Sequence, residues 1–265
     1  MPVQAEVRYL KEEWRHREDR PLIYSRESRH ANTRKHTVAI HDARSAVADG
    51  TITMRRNGFT LARHPVTVAD YADNAQVEAA YAREIVPVLK ETTGASRVFV
   101  MSHQIRNENP ETFLGAYSRY LHCDYALHPT PERERNVLAR YDSDLADRVG
   151  EFDYAWYNVW EPIERAAVQN QLCVLDGSTA TRDDFREYHF TDSRDGGYAT
   201  MPVPSETHRF WYFPNMEPGE ALVFKQYDSR QDHPLVVPHT SFFDTSVTED
   251  PGRRSVEYRA LCVFE

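Results

Sequence analysis

The chain has 265 residues, a formal net charge of -9 and three cysteines. Its 40% hydrophobic and 12% aromatic content excludes disorder and allows one large core, while an acidic balance with no basic cluster excludes a nucleic-acid backbone as partner. Cys123, Cys173 and Cys262 form no CxxC pair, the N-terminus has no apolar signal core and no stretch approaches a membrane span, so a soluble, cytoplasmic protein is expected.

Residues 1–60 are charged and weakly periodic, with short β-like runs at Thr37–Ile40 and Thr51–Met54, and are read as a peripheral arm on a single domain whose helices and sheets occupy 61–265. Apolar residues at Val77, Tyr81, Ile85, Val88 and Leu89 predict a helix over Val77–Glu91, kinked at Pro87 and ended by Gly94. Arg97–Arg106 alternates too little for a surface strand and is read as a buried one. Pro131–Val149 predicts one further helix, with Thr130 as its cap, Pro131 at the first position and Glu132 and Glu134 in the first turn.

After Gly150 the pattern changes to short aromatic and β-branched runs: Tyr154–Trp160, Gln171–Leu175, Phe185–Phe190, His208–Phe213, Ala221–Tyr227, Leu235–Val237 and Ser255–Phe264. Short strands separated by Asp-Gly, Gly-Gly and Pro-Gly punctuation predict a mostly β fold with flanking helices, a double-sheet jelly roll of the cupin kind. No long helical patterns alternate with the strands, which counts against a Rossmann or TIM architecture.

The residues that carry chemistry are far apart in sequence. His122 and Asp124 are two apart, so on an extended segment both leave one face, and His239 lies in the apolar run Val236–Phe243. Two imidazoles and a carboxylate on one face of a metal leave positions open for oxygen and a cosubstrate, as in non-haem Fe(II) oxygenases. Arg253 and Ser255, and further along Arg259, share a face of the last strand, where a guanidinium and a hydroxyl can hold a carboxylate. Each element has a plain structural alternative: a surface ion pair for His122 and Asp124, a backbone-satisfied imidazole for His239, and pairing of the arginines with Glu257 or Asp250.

Longer strings add to these residues. Ser102–Arg106, Tyr157–Ile163, Ala221–Ser229, Pro238–Phe242 and Arg253–Leu261 together resemble the family named for the cephalosporin 7α-methoxylase subunit, gibberellin desaturase and the fungal asaB-like hydroxylase/desaturases, over about residues 58 to 264. The resemblance implies a double-stranded β-helix, Fe(II) held by His122, Asp124 and His239, 2-oxoglutarate as cosubstrate and O2 as oxidant. It also implies hydroxylation, desaturation or ring formation on a small molecule, often amino-acid-derived, in specialised metabolism. The chain departs from the family pattern at Glu161, where arginine is common, and at Gly177, where a Cys-Asp-Ala-Arg-Ser string is usual.

Within that frame Arg253, aided by Ser255, is expected to bind the distal carboxylate of 2-oxoglutarate, with Arg259 as runner-up and Asn158 in the cosubstrate shell. His103, Arg106, Trp160 and Lys225 are expected around the substrate, Arg106 gripping a substrate carboxylate and Lys225 pointing inward only if Phe224 and Gln226 point out. Two other functions stay open, a non-catalytic accessory subunit and a zinc hydrolase; the chain lacks an HExxH motif.

Overall fold

A computed structural model of the chain describes residues 1–107, 119–192, 197–248 and 252–265. Among these the strands are β1 (Val3–Leu10), β2 (Thr33–Asp42), β3 (Phe59–Arg63), β4 (Arg97–Asn107), β5 (Asp153–Pro162), β6 (Leu172–Leu175), β7 (Phe185–His189), β8 (Tyr198–Pro202), β9 (Phe210–Tyr212), β10 (Glu220–Asp228), β11 (His239–Ser241) and β12 (Arg254–Phe264). They form one sheet ordered β1-β2-β9-β6-β11, a second ordered β3-β10-β5-β12-β4, and a β7-β8 pair. Phe59, Trp160, Val174, Phe213, Leu222 and Phe224 meet between the two larger sheets and form the core there.

Alternation along β12 sets up the site. Val256, Tyr258, Ala260 and Cys262 leave one face and pack with Val77, Ala80, Ile85, Val88 and Leu89 of the helical segment. The other face, carrying Arg253, Ser255, Glu257 and Arg259, is therefore turned toward the first sheet. On β5 the same rule sends Tyr157 and Val159 to the helices and Asn158 and Trp160 to the interior.

Several sequence expectations need correction. Residues 1–60 are no peripheral arm: β1 and β2 pair from Val3↔Ile40 to Leu10↔Thr33, and β2 runs parallel to β9, so they are two strands of the first sheet. The charges misled because the strands are covered mainly on one face, with Ala5 and Val7 buried between exposed or half-buried neighbours. Thr51–Met54 is a turn entering a short helix capped by Thr53, and β3 and β8 are strands the pattern did not reveal.

The helix expected over Val77–Glu91 is Asn74–Ala80 and Val86–Thr93 joined by a π-turn at Tyr81–Ile85, and Gly94 ends it at φ 74°. Pro87 starts the second piece, where its missing N–H is spare and the widened turn before it relieves the crowding. Pro131–Val149 is two helices, Pro131–Leu138 and Ser143–Asp147, because Asp142 turns its carboxylate onto the Leu145 N–H at 3.0 Å and caps a new start. β4 is an edge strand paired only with β12 and largely half-buried rather than buried. The strand expected at Leu235–Val237 lies instead at His239–Ser241, since Pro234 and Pro238 bracket the earlier run and remove ladder donors. Among the described residues no helix is long and apolar enough to cross a membrane.

Candidate metal centre

His122 and His239 are locked together by a two-way backbone bridge: the His122 N–H donates to the His239 carbonyl at 3.1 Å and the His239 N–H returns to the His122 carbonyl at 2.9 Å. This places the imidazoles side by side, ring centroids 4.4 Å apart. Asp124, two residues after His122, shares its face, and its backbone N–H is fixed by Gln226 Oε1 at 2.8 Å. One ligand atom from each of His122, Asp124 and His239 lies within 4.8 Å of the others. Donors bonded at about 2.0–2.2 Å on one face of an ion stand roughly 3 Å apart, so the three side chains must draw together when an ion binds.

The donor chemistry suits a divalent ion. Burial, followed by its neighbour His239, pushes the His122 imidazole down to about 4, and burial likewise pushes His239 to about 4. Both are therefore neutral at pH 7, as ligands must be. Burial alone would raise Asp124, but the Arg259 guanidinium and the two imidazoles hold its carboxyl below the usual range. His122 Nδ1 sits 2.8 Å from the Tyr120 carbonyl, which places the proton on Nδ1 and leaves Nε2 toward Asp124. Asp124 accepts from Asn158 Nδ2 at 2.7 Å on one oxygen and from Arg259 Nη2 at 3.1 Å on the other.

A small cavity of about 30 Å³ opens beside the triad, lined also by Arg106, Trp160, Arg253, Glu257 and Arg259. Arg253 is buried, donating from Nη1 to the Asn170 carbonyl at 2.6 Å, with its guanidinium 5.7 Å from the centre of the Trp160 ring. Ser255, on the same face, has a fully buried Oγ with no hydrogen-bond partner among the described residues. A partnerless hydroxyl beside a buried guanidinium is costly in a ligand-free fold and suits an anion with carboxylate geometry.

A family model described as an oxidoreductase/YMDC permease-like domain matches residues 7–263. The Fe(II)/2-oxoglutarate-dependent dioxygenase nvfI of Aspergillus novofumigatus is 28% identical over 251 residues, 87% of this chain and 84% of its own length. The hydroxylase/desaturase efuI of Hormonema carpetanum is 28% identical over 255 residues, 86% of this chain and 83% of its own. A solved structure of the iron and alpha-ketoglutarate-dependent endoperoxidase NvfI superposes with a TM-score of 0.80 at 25% identity, covering 98% of this chain and 97% of that one. The chain belongs to this family and is an Fe(II)/2-oxoglutarate-dependent dioxygenase. The jelly-roll fold, the oxygenase activity and the iron, 2-oxoglutarate and O2 requirement implied by the sequence resemblance all stand, and the accessory-subunit and zinc-hydrolase alternatives fall away.

In this dioxygenase two expected substrate residues lie elsewhere. Phe224 points inward, its ring 4.8 Å from His239, so Lys225 points to the opposite face and pairs with Asp228 at 2.5 Å. His103 faces the helices, with Nδ1 2.6 Å from the Tyr81 hydroxyl, because it stands opposite Tyr258 on the helix-facing side of β12. Arg106 and Trp160 do line the cavity. Asn158 holds Asp124, and Arg259 is shared between Asp124 and Glu257 Oε1 at 3.0 Å. The surface pairing of arginines weighed from sequence is thus realised inside the oxygenase for Arg259 and Glu257, while Asp250 lies outside the described residues. Sequence reasoning gave Glu257 and Gln226 no role at the site; the two-residue period points to both, from Arg253 to Glu257 and from the inward Phe224 to Gln226, whose Oε1 accepts from the Asp124 N–H.

Proposed function

We propose that His122, Asp124 and His239 hold Fe(II), and that Arg253 with Ser255 binds the distal carboxylate of 2-oxoglutarate. The observation that supports the second assignment is the buried Ser255 hydroxyl, without a hydrogen-bond partner among the described residues, two residues after Arg253 on the same face, Arg253 itself lining the cavity at the triad. Bound iron and 2-oxoglutarate supply the oxidising power for attack on an aliphatic C–H bond, with succinate and carbon dioxide as by-products. The chain's own residues orient and exclude: Tyr120 fixes the tautomer of His122, Asn158 and Arg259 fix Asp124, and Trp160 and Leu172 wall the cavity from water.

The substrate in this reading is a small, carboxylate-bearing, amino-acid-derived molecule of specialised metabolism, hydroxylated, desaturated or cyclised, and neither a nucleic acid nor a membrane. Of three cations expected to grip it, Lys225 pairs with Asp228 and Arg259 with Asp124 and Glu257, and Arg106 lines the cavity. The three free, buried cysteines suit a reducing, cytoplasmic setting. The test is succinate release with Fe(II) and ascorbate across free amino acids, their esters and neutral hydrophobes. Stimulation by free acids over esters is expected; equal stimulation by an ester and its acid would overturn the substrate class.

A further inference from the structure

The cavity at the triad does not end at its own walls. Ser241 leaves β11 on the same face as His239 and lines both that cavity and a second, larger one of about 280 Å³. The second cavity is bounded by the outward face of β1 and β2, through Glu6, Arg8 and Lys35, and by Arg119 and Phe243. The Leu121 N–H donates to the Arg8 carbonyl at 2.9 Å, so the segment carrying His122 and Asp124 lies directly against β1. One continuous surface therefore runs from the metal ligands over Ser241 to Arg8.

The chemistry of this surface is selective. Phe243 is a large apolar side chain left 47% exposed, while its neighbour Phe242 is buried in the core. The Arg119 guanidinium stands 5.9 Å from the Phe243 ring centre and donates to Asn170 Oδ1 at 2.9 Å. Asn170 in turn gives its carbonyl to Arg253, so the groove wall and the proposed cosubstrate clamp share one residue. Among the described residues Glu6 is the one carboxylate lining the groove, and it is already held by Lys35 at 2.6 Å. Arg8 donates to the neutral hydroxyl of Thr33 at 3.1 Å, and among the described residues no carboxylate is within ion-pairing distance of it. On a protein of net charge -9, a locally cationic groove favours an anion there.

We propose that this groove binds the acid-bearing end of an elongated substrate: its apolar body lies on Phe243, its carboxylate meets Arg8, and its reacting carbon reaches past Ser241 to the metal. This rests on the metal-centre reading and names the substrate class more closely, as an acid with an apolar spacer rather than a compact amino acid.

The test uses full-length protein loaded with Mn(II) and 2-oxoglutarate, and phenylbutyrate and phenylbutanamide as probes observed by NMR. The acid should bind at least about tenfold more tightly than the amide, and its methylene protons should be broadened by Mn(II). Arg8→Gln should remove the preference for acid over amide, and Phe243→Ala should weaken both probes, with melting temperatures confirming that each variant is folded. Equal affinity for acid and amide, binding unchanged in both variants, or binding without Mn(II) broadening would each overturn the proposal. Failure to load Mn(II) and 2-oxoglutarate would instead overturn the metal-centre reading, and the acid-versus-amide comparison in Arg8→Gln would still decide the groove.

Discussion

Arg259 Nη2 stands 3.1 Å from Asp124 Oδ1, reaching from a sheet that supplies no metal ligand to orient the one carboxylate of the triad. The same guanidinium holds Glu257, whose Oε2 lies 3.8 Å from His239 Nε2. Arg259 therefore fixes Asp124 and holds Glu257 as well, and in the metal-loaded protein it is expected to keep that second carboxylate off the ion.

Arg259→Gln is accordingly expected to lower turnover about 10- to 100-fold, the usual cost of losing a partner of a metal ligand. It should also change the visible spectrum of the Co(II)-substituted protein as Glu257 swings onto the ion. Adding Glu257→Gln should restore the spectrum toward wild type. A normal Co(II) spectrum combined with a large rise in the 2-oxoglutarate KM would show Arg259 to be the cosubstrate clamp instead.

His239→Ala should abolish iron-dependent turnover and leave the fold in place. Metal binding to the native state alone raises stability by about 2.7 kcal/mol at a hundred times Kd. Mn(II) should therefore raise the melting temperature of wild type and leave that of His239→Ala unmoved. A full Mn(II) shift in the variant would remove His239 from the ligand set.

The site was legible in the sequence where spacing fixes a face. His122 with Asp124, Arg253 with Ser255 and Asn158 with Trp160 each lie two apart on extended chain, so a common face follows from the pleat. What joins the first pair to His239 is a backbone bridge between segments more than a hundred residues apart, which no local pattern encodes. Lys225 was misplaced because a substrate cation and a buried structural cation look alike in sequence; only the inward turn of Phe224 tells them apart. The first sheet was hidden for a related reason, since β1 and β2 bury one face and expose charge on the other, and strands with charged faces resemble a solvated arm.

Glu161, one of the sequence departures, builds a buried pair with His64, Oε2 to Nε2 at 2.7 Å, with Glu84 on the other ring nitrogen's side at 3.4 Å. Burial opposes protonation of His64, but the hydrogen bond and charge of Glu161 raise its pKa above 6.5. A raised histidine stabilises the fold fully below about pH 6.5 and loses that contribution as pH rises through the folded value. The stability gap between wild type and Glu161→Gln should thus be about 1.5–3 kcal/mol below pH 6.5 and narrow above it. Chemical denaturation at several pH values measures this; a gap that widens with pH would contradict the assignment. His122 and His239, both lowered, contribute the opposite slope as pH falls from 6.5 toward 4, but identically in both proteins.

Arg253 and Ser255 should separate binding from stability in opposite senses. Arg253→Ala removes a charge-assisted, two-point contact worth about 2 to 5 kcal/mol, so the 2-oxoglutarate KM should rise by tens of fold or more. Ser255→Ala removes a buried hydroxyl that has no partner in the ligand-free fold. Leaving such a group unsatisfied costs about 1–3 kcal/mol, so alanine there should leave ligand-free stability unchanged or raise it. With 2-oxoglutarate bound the hydroxyl gains an acceptor, and the same substitution should weaken the cosubstrate several-fold. Thermal melts of metal-loaded protein with and without 2-oxoglutarate give both quantities: Ser255→Ala should melt at or above wild type without the cosubstrate and show a smaller shift on adding it. A Ser255→Ala protein that is destabilised without ligand, yet shows the full 2-oxoglutarate shift, would mean the hydroxyl serves the fold and Arg253 works without it.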